Sequence, residues 1–269
     1  MAEKVNIVLV RHGESEANVD PRHYLSGDDK VGLTRTGCQQ SLAAGEFLAE
    51  FYKARMAEQA DFEPAIFVSP YQRALQTLRG LCDGGLVEFF GEEFPKIKQD
   101  DRLIEKFFGA ESEMGMGDPS DYSLGLINDL MRLQIRTDRA NPFVSRKLLG
   151  ESTNDVSLRV KSFIEGTLAR DVAQGLTDFL IVAHGAVIRS FVNEFFHIPS
   201  NSPNRIEAPK NCDVIVIEGV PKNWSVSKVY DGLKMGPTSL DLLEGIEFIT
   251  LETLPSLPFP RSQGPQARR

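Results

Sequence analysis

Cysteine is scarce in this 269-residue chain: Cys38, Cys82 and Cys212 are its three, far apart and without a CxxC pair. That excludes a disulfide framework and offers no zinc-ligand spacing. It points to a reducing compartment, with the cytoplasm as the expectation, or to indifference about redox. Long apolar runs are missing too, so no membrane span is expected. "MAEKVNIVLVRHGE" reaches charge and glycine before the apolar part of a signal peptide could form, so no secretory leader is expected either. Basic charge is outweighed, with 30 Lys and Arg against 38 Asp and Glu for a net charge of −8. An acidic balance argues against nucleic acid as a partner, because phosphate backbones select a basic face. It leaves room for a small cationic pocket. There is no GxxxxGK[ST] phosphate loop and no internal repeat.

What is present is an alternation of short apolar runs and helical spacing. Val5 to Val10 is mostly β-branched and apolar, which predicts a buried strand. "PAIFVSP" (64–70) and "DFLIVA" (178–183) repeat that theme, and each is followed by a helical pattern. Leu42, Phe47, Leu48, Phe51 and Tyr52 recur at helical intervals, "YQRALQTLRGL" predicts a helix ending near Gly84-Gly85, and "GESTNDVSLRV" opens a capped helix running to about Gly175. "CDVIVIEG" and "WSVSKVYDG" read as a late hairpin around "VPKN". The pattern predicts an α/β fold, a three-layer α/β/α sandwich with a mostly parallel central sheet covered on both faces. One domain over 1–253 is expected, with a cap insertion at about 107–150 and a Pro-rich, flexible tail over 254–269.

Two strands end in His-Gly and a third in "SPYQR". In open α/β sheets, ligands bind beyond the carboxyl ends of the strands, so these tips are candidate site positions. "RHGESEAN", "LTRTGCQQ", "SPYQRALQT", "RLIEKFFG", "GES" and "VAHGAVIR", in that order, resemble the histidine phosphatase superfamily, phosphoglycerate mutase-like branch. The resemblance covers most of residues 5 to 219. It implies a phosphate pocket of Arg11, His12, Arg73 and His184 with His12 as nucleophile, Asn18 at phosphate or substrate, and Glu105 as proton donor to the leaving oxygen.

The residues support that chemistry on their own terms. An imidazole can take a phosphoryl group if one ring nitrogen is unprotonated and the other is fixed by a hydrogen bond. Transfer then depends on positioning and on positive charge around the equatorial oxygens. Arg11 and Arg73 supply planar, permanently charged donors, His184 a further donor, and the backbone N–H groups of Gly185 and Ala186 a helix N-terminus suited to an anion. Glu105 needs a carboxyl pKa raised by burial against the pull of the arginines. Asp101 and Glu111 stand as alternatives for the acid, and Glu14 is given a supporting ion-pair role. Arginines and histidines supply the charge a metal would, so no metal and no cofactor are expected.

Other polar residues receive ordinary readings. His23 sits in a loop, His197 at a helix C-terminus, Arg79 and Arg132 on solvated helix faces, and "SRK" at 145–147 in a solvated loop, with a substrate contact from Arg146 or Lys147 as a minor alternative. The segment between Asn18 and Leu33 is longer than in glycolytic mutases, bringing Arg22, His23, Tyr24, Asp28 and Asp29 toward the mouth. "AESEM" replaces the usual continuation of the acid motif. These departures favour a phosphomonoesterase of a small phosphorylated metabolite or a phosphoprotein. The alternatives are a phosphoglycerate or sugar-phosphate mutase, and a non-catalytic module binding a phosphorylated ligand. Oligomerisation is left open.

Overall fold

A computed structural model describes residues 4–58, 64–109, 145–146, 150–198 and 206–244. Nearly all of the expected cap, with Glu111, Arg132 and Lys147, and the whole of the 254–269 tail lie outside them. A seven-stranded mixed sheet runs through the middle in the order β3-β2-β4-β1-β5-β6-β7. Strands β1 (Val5–Arg11), β2 (Ala65–Val68), β3 (Ile97–Gln99) and β4 (Asp178–Ala183) form its parallel half. Strands β5 (Val214–Val220), β6 (Asn223–Asp231) and β7 (Gly236–Asp241) continue it in antiparallel fashion.

The centre of the sheet is buried on both faces, which is why β1 and β4 read as unbroken apolar runs. Side chains along β1 divide by strand alternation. Val5, Ile7 and Leu9 pack with Val156, Val160 and Phe163 of the Thr153–Phe163 helix and Val187, Ile188 and Phe191 of the Gly185–Phe196 helix. Val8 and Val10 pack on the opposite side with Ala44, Leu48 and Tyr52 of the Arg35–Glu58 helix and Ala74, Leu78 and Leu81 of the Gln72–Leu81 helix. The expected three layers are therefore formed by two separate apolar cores.

Two glycine expectations resolve differently. The Gln72–Leu81 helix passes through a wide turn at Cys82–Leu86, where Gly85 takes φ 139°, before a last turn at Val87–Phe90; the break falls where the Gly-Gly pair predicts it. Gly13, directly after the β1 tip, predicts a sharp turn, yet it has no positive φ. Its reason is close packing: a Cβ there would stand 2.6 Å from the Gly37 carbonyl oxygen, and one on Gly37 would stand 2.0 Å from the Glu14 carbonyl oxygen. The two glycines let the start of the Arg35–Glu58 helix lie directly against the chain leaving β1. Among the described residues, no helix is long and apolar enough to cross a membrane.

Candidate active site

Strand register decides which tips meet. Arg11 pairs with Ala183 and Val68 with Val182, so β1, β4 and β2 end level. The chain continues in register past each end: His12 N donates to Ala183 O at 3.0 Å, and Ser69 N to Val182 O at 3.0 Å. His12, Ser69 and His184 therefore emerge side by side from three distant parts of the sequence, and the two imidazole centroids lie 5.1 Å apart. All three residues are buried.

The His12 ring is fixed. Nδ1 donates to the Gly13 carbonyl at 2.7 Å, a carbonyl being an acceptor only, which places the proton on Nδ1 and leaves the Nε2 lone pair open. Burial, with Arg73 and then Arg11 adding positive charge nearby, holds its pKa well below the ordinary 6.5, so the ring is neutral at neutral pH. Gly13 N donates to Thr77 Oγ1 at 2.9 Å, and Thr77 Oγ1 donates to the Arg73 carbonyl at 2.7 Å. The nucleophile candidate and the arginine helix are thereby one braced unit.

His184 is also held neutral, by burial first and then by Arg73. Its Nε2 lies 2.8 Å from Ser69 Oγ, while its buried Nδ1 has no hydrogen-bond partner. Arg73, 1% exposed, projects from the first turn of its helix with its guanidinium 5.0 Å from the Tyr71 ring. Arg11 donates from Nη1 to Pro209 O at 2.6 Å, and its Nε is buried without a partner. Gly185 begins a twelve-residue helix behind it; with no Cβ, it leaves Arg11 Nε 3.7 Å from where one would stand. Ala186 follows in the first turn, partly buried. Asn18 is exposed, and its Oδ1 accepts from Ser15 N at 3.1 Å and Asn211 Nδ2 at 3.0 Å.

Glu105 joins this group, and one donor atom each from His12, Glu105 and His184 lies within 4.8 Å of the others. Burial raises its pKa above the usual carboxylate value, against opposing pulls from the Lys106 N–H, Arg73 and Arg11. Its segment is pinned from the next strand of chain: Phe107 N donates to Glu151 Oε2 at 2.9 Å and Glu151 N to Phe107 O at 2.8 Å. The "GES" motif is thus more than a helix start, although Ser152 does cap the Thr153–Phe163 helix. Two imidazoles and a carboxylate are a donor set that could ligate a metal ion. The neighbouring Arg11 and Arg73 charges make the same space better suited to an anion.

Among the described residues, the alternatives lie elsewhere or have other partners. Asp101 is exposed on a short turn. Glu14 accepts a hydrogen bond from Thr34 Oγ1 at 2.7 Å, where an ion pair was expected. Arg79 pairs with Asp83 at 2.8 Å in solvent, and Arg146 with Asp155 at 2.5 Å. Ser69, Thr77, Asn211 and the Asp28 contact described below were not singled out from sequence as site groups. Ser69 carries a signal in "SPYQR" and Asp28 in the long 19–33 segment. Asn211, in a turn before β5, carries none.

Residues 7–232 match the family profile described as histidine phosphatase superfamily (branch 1). The chain is 29% identical over 227 residues to "Phosphoglycerate mutase-like protein AT74" of Arabidopsis thaliana; the match covers 79% of this chain but 64% of that protein's length. It is 27% identical over 228 residues to the 2,3-bisphosphoglycerate-dependent phosphoglycerate mutase of Maricaulis maris, covering 78% of this chain and 87% of that one. In fold it resembles a mycobacterial glucosyl-3-phosphoglycerate phosphatase, with a TM-score of 0.56, 19% identity, and coverage of 83% of this chain and 97% of that one. The chain belongs to the histidine phosphatase superfamily, in its branch 1.

Proposed function

We propose that the protein is a metal-independent phosphomonoesterase that works through a phosphohistidine at His12, on a small phosphorylated metabolite or a phosphoprotein. The observation that carries this reading is the His12 ring itself: neutral, anchored through Nδ1 to the Gly13 carbonyl, and free at Nε2. In the first step the Nε2 lone pair forms the N–P bond while the ester P–O bond breaks, and Glu105 gives its proton to the leaving oxygen. In the second, water attacks phosphorus, the Glu105 carboxylate takes a water proton, and the N–P bond breaks to release phosphate and restore His12. Arg11, Arg73, the His184 Nδ1–H and the N–H groups of Gly185 and Ala186 carry the equatorial charge in both steps.

Hydrolysis of para-nitrophenyl phosphate in EDTA, wild type beside His12→Ala, tests the reading. It predicts activity in the wild type and a loss of at least about 10³-fold in the variant. An EDTA-treated protein inactive on a wide panel of phosphomonoesters, or a variant with the wild-type rate, refutes it. Phosphoglycerate mutase activity is the second reading, favoured by the name of the Maricaulis maris relative. Dependence on a bisphosphorylated primer distinguishes it.

A further inference from the structure

The long segment between Asn18 and Leu33 is a loop closed at its neck. Glu16 N donates to Gly32 O at 3.0 Å, Gly32 N donates to Glu16 Oε2 at 3.3 Å, and Ser15 bridges to Leu33. Leu33 N donates to Gln76 Oε1 at 2.7 Å, which ties the neck to the helix that carries Arg73. Beyond Gly27, at φ 105°, the turn Asp28–Lys30 meets Arg73. Arg73 Nη1 donates to the Asp28 carbonyl at 2.7 Å and lies 2.7 Å from Asp28 Oδ1.

The second contact is an ion pair without hydrogen-bond alignment: Oδ1 is buried and has no hydrogen-bond partner. A carboxylate oxygen held 2.7 Å from a guanidinium nitrogen has its charge partner in Arg73, so the Asp28 charge is fixed beside the pocket. The Asp28 charge also opposes ionisation of Glu105. Its negative charge offsets part of Arg73. Among the described residues, the two pocket arginines then carry less than the two charges of a phosphoryl dianion, with none left for a second anion. Arg159, farther out, is already committed to Glu151 at 3.0 Å and to the Arg102 carbonyl at 2.6 Å, and Arg22 to Asp20.

We infer that Asp28 selects the leaving group: its charge, fixed beside Arg73, repels a leaving group that carries its own anion and so favours a neutral one. The inference rests on the phosphomonoesterase reading and narrows it to phosphate esters of neutral alcohols.

Glycerol 1-phosphate and 3-phosphoglycerate test it, since they differ mainly in a CH₂OH against a carboxylate. The ratio of their kcat/KM values is measured for wild type, Asp28→Asn, Asp28→Ala and the exposed neighbour variant Asp29→Asn, each with a thermal melt. The wild type is expected to prefer glycerol 1-phosphate. Both Asp28 variants should shrink that preference by at least about tenfold, and Asp29→Asn should preserve it. A preference unchanged in folded Asp28→Asn, or shifted as much by Asp29→Asn, overturns the role of Asp28 alone. A wild type inactive on both esters and on para-nitrophenyl phosphate overturns the phosphomonoesterase reading beneath it.

Discussion

Ser69→Ala isolates the contribution of one hydroxyl to the pocket. Ser69 Oγ receives the Tyr71 N–H at 3.4 Å and lies 2.8 Å from His184 Nε2, with both Ser69 and His184 at 0% exposure. With one Ser69 Oγ lone pair taken by Tyr71 N–H, we assign the hydroxyl proton to Nε2 and the His184 proton to Nδ1. That atom is buried without a protein partner and is the donor available to a phosphoryl oxygen. Removing the hydroxyl leaves a buried ring nitrogen unsatisfied, at a cost of about 1–3 kcal/mol. If the cost falls on the transition state, kcat drops by a factor of about 5–150. A tautomer change would aim a lone pair at the phosphoryl oxygens and push the loss toward the upper end. The assay is kcat and KM for para-nitrophenyl phosphate in EDTA, alongside a melting curve. Ser69→Thr keeps the hydroxyl and should recover most of the rate. A folded Ser69→Ala within about twofold of wild-type kcat refutes the tautomer argument.

Glu105 predicts a pH signature. Its raised pKa keeps the acid form to higher pH, and as pH climbs through that value the proton is lost and transfer to His12 slows on the alkaline side. Glu105→Gln should cost about 10²–10⁴-fold in kcat/KM on alkyl phosphates, far less in kcat/KM on para-nitrophenyl phosphate, and should remove the alkaline fall of kcat/KM; equal kcat/KM losses on both esters contradict the assignment. His12 and His184 act in the opposite sense on stability. Their folded pKa values lie below the ordinary 6.5, so their contribution is complete above that pH and is lost as pH falls below it. Melting temperature should therefore decline on acidification below 6.5, and less steeply in a His12→Asn, His184→Asn double variant; identical slopes contradict the burial argument. Gly37→Ala should destabilise the protein by at least about 2 kcal/mol in urea titration, because its Cβ would stand 2.0 Å from the Glu14 carbonyl oxygen; a neutral result contradicts the close approach. Ser152→Ala should cost about 1 kcal/mol through loss of a helix cap to the Asp155 N–H, read in the same titration.

Sequence reading succeeded where burial imposes a pattern. β1 and β4 are enclosed on both faces, so their residues form apolar runs, and each run ends in the His-Gly that marks the site. β3 escaped notice because it is three residues long with all of them exposed at the sheet edge. β7 escaped because "GPTSLD" has no strand composition; it is held by pairing with β6, and Pro237 is tolerated there because the strand is an edge. The individual histidines and arginines were legible as strand-tip chemistry. Their supports were not, since Ser69 reaches His184 only through the Val68–Val182 register, and Asn211 reaches the His12 carbonyl from a distant turn at 3.1 Å.

The central claim is that His12 carries the phosphoryl group. The direct measurement is acid-free rapid quench of wild type turning over para-nitrophenyl phosphate, followed by peptide mass mapping under conditions that preserve phosphohistidine. The account predicts one phosphoryl group on the peptide containing His12, assigned to that residue by fragmentation, formed and lost at rates compatible with turnover, and absent in His12→Ala. Steady turnover with no phosphorylated His12 peptide, in a protein whose His12→Ala variant keeps its rate, would contradict it.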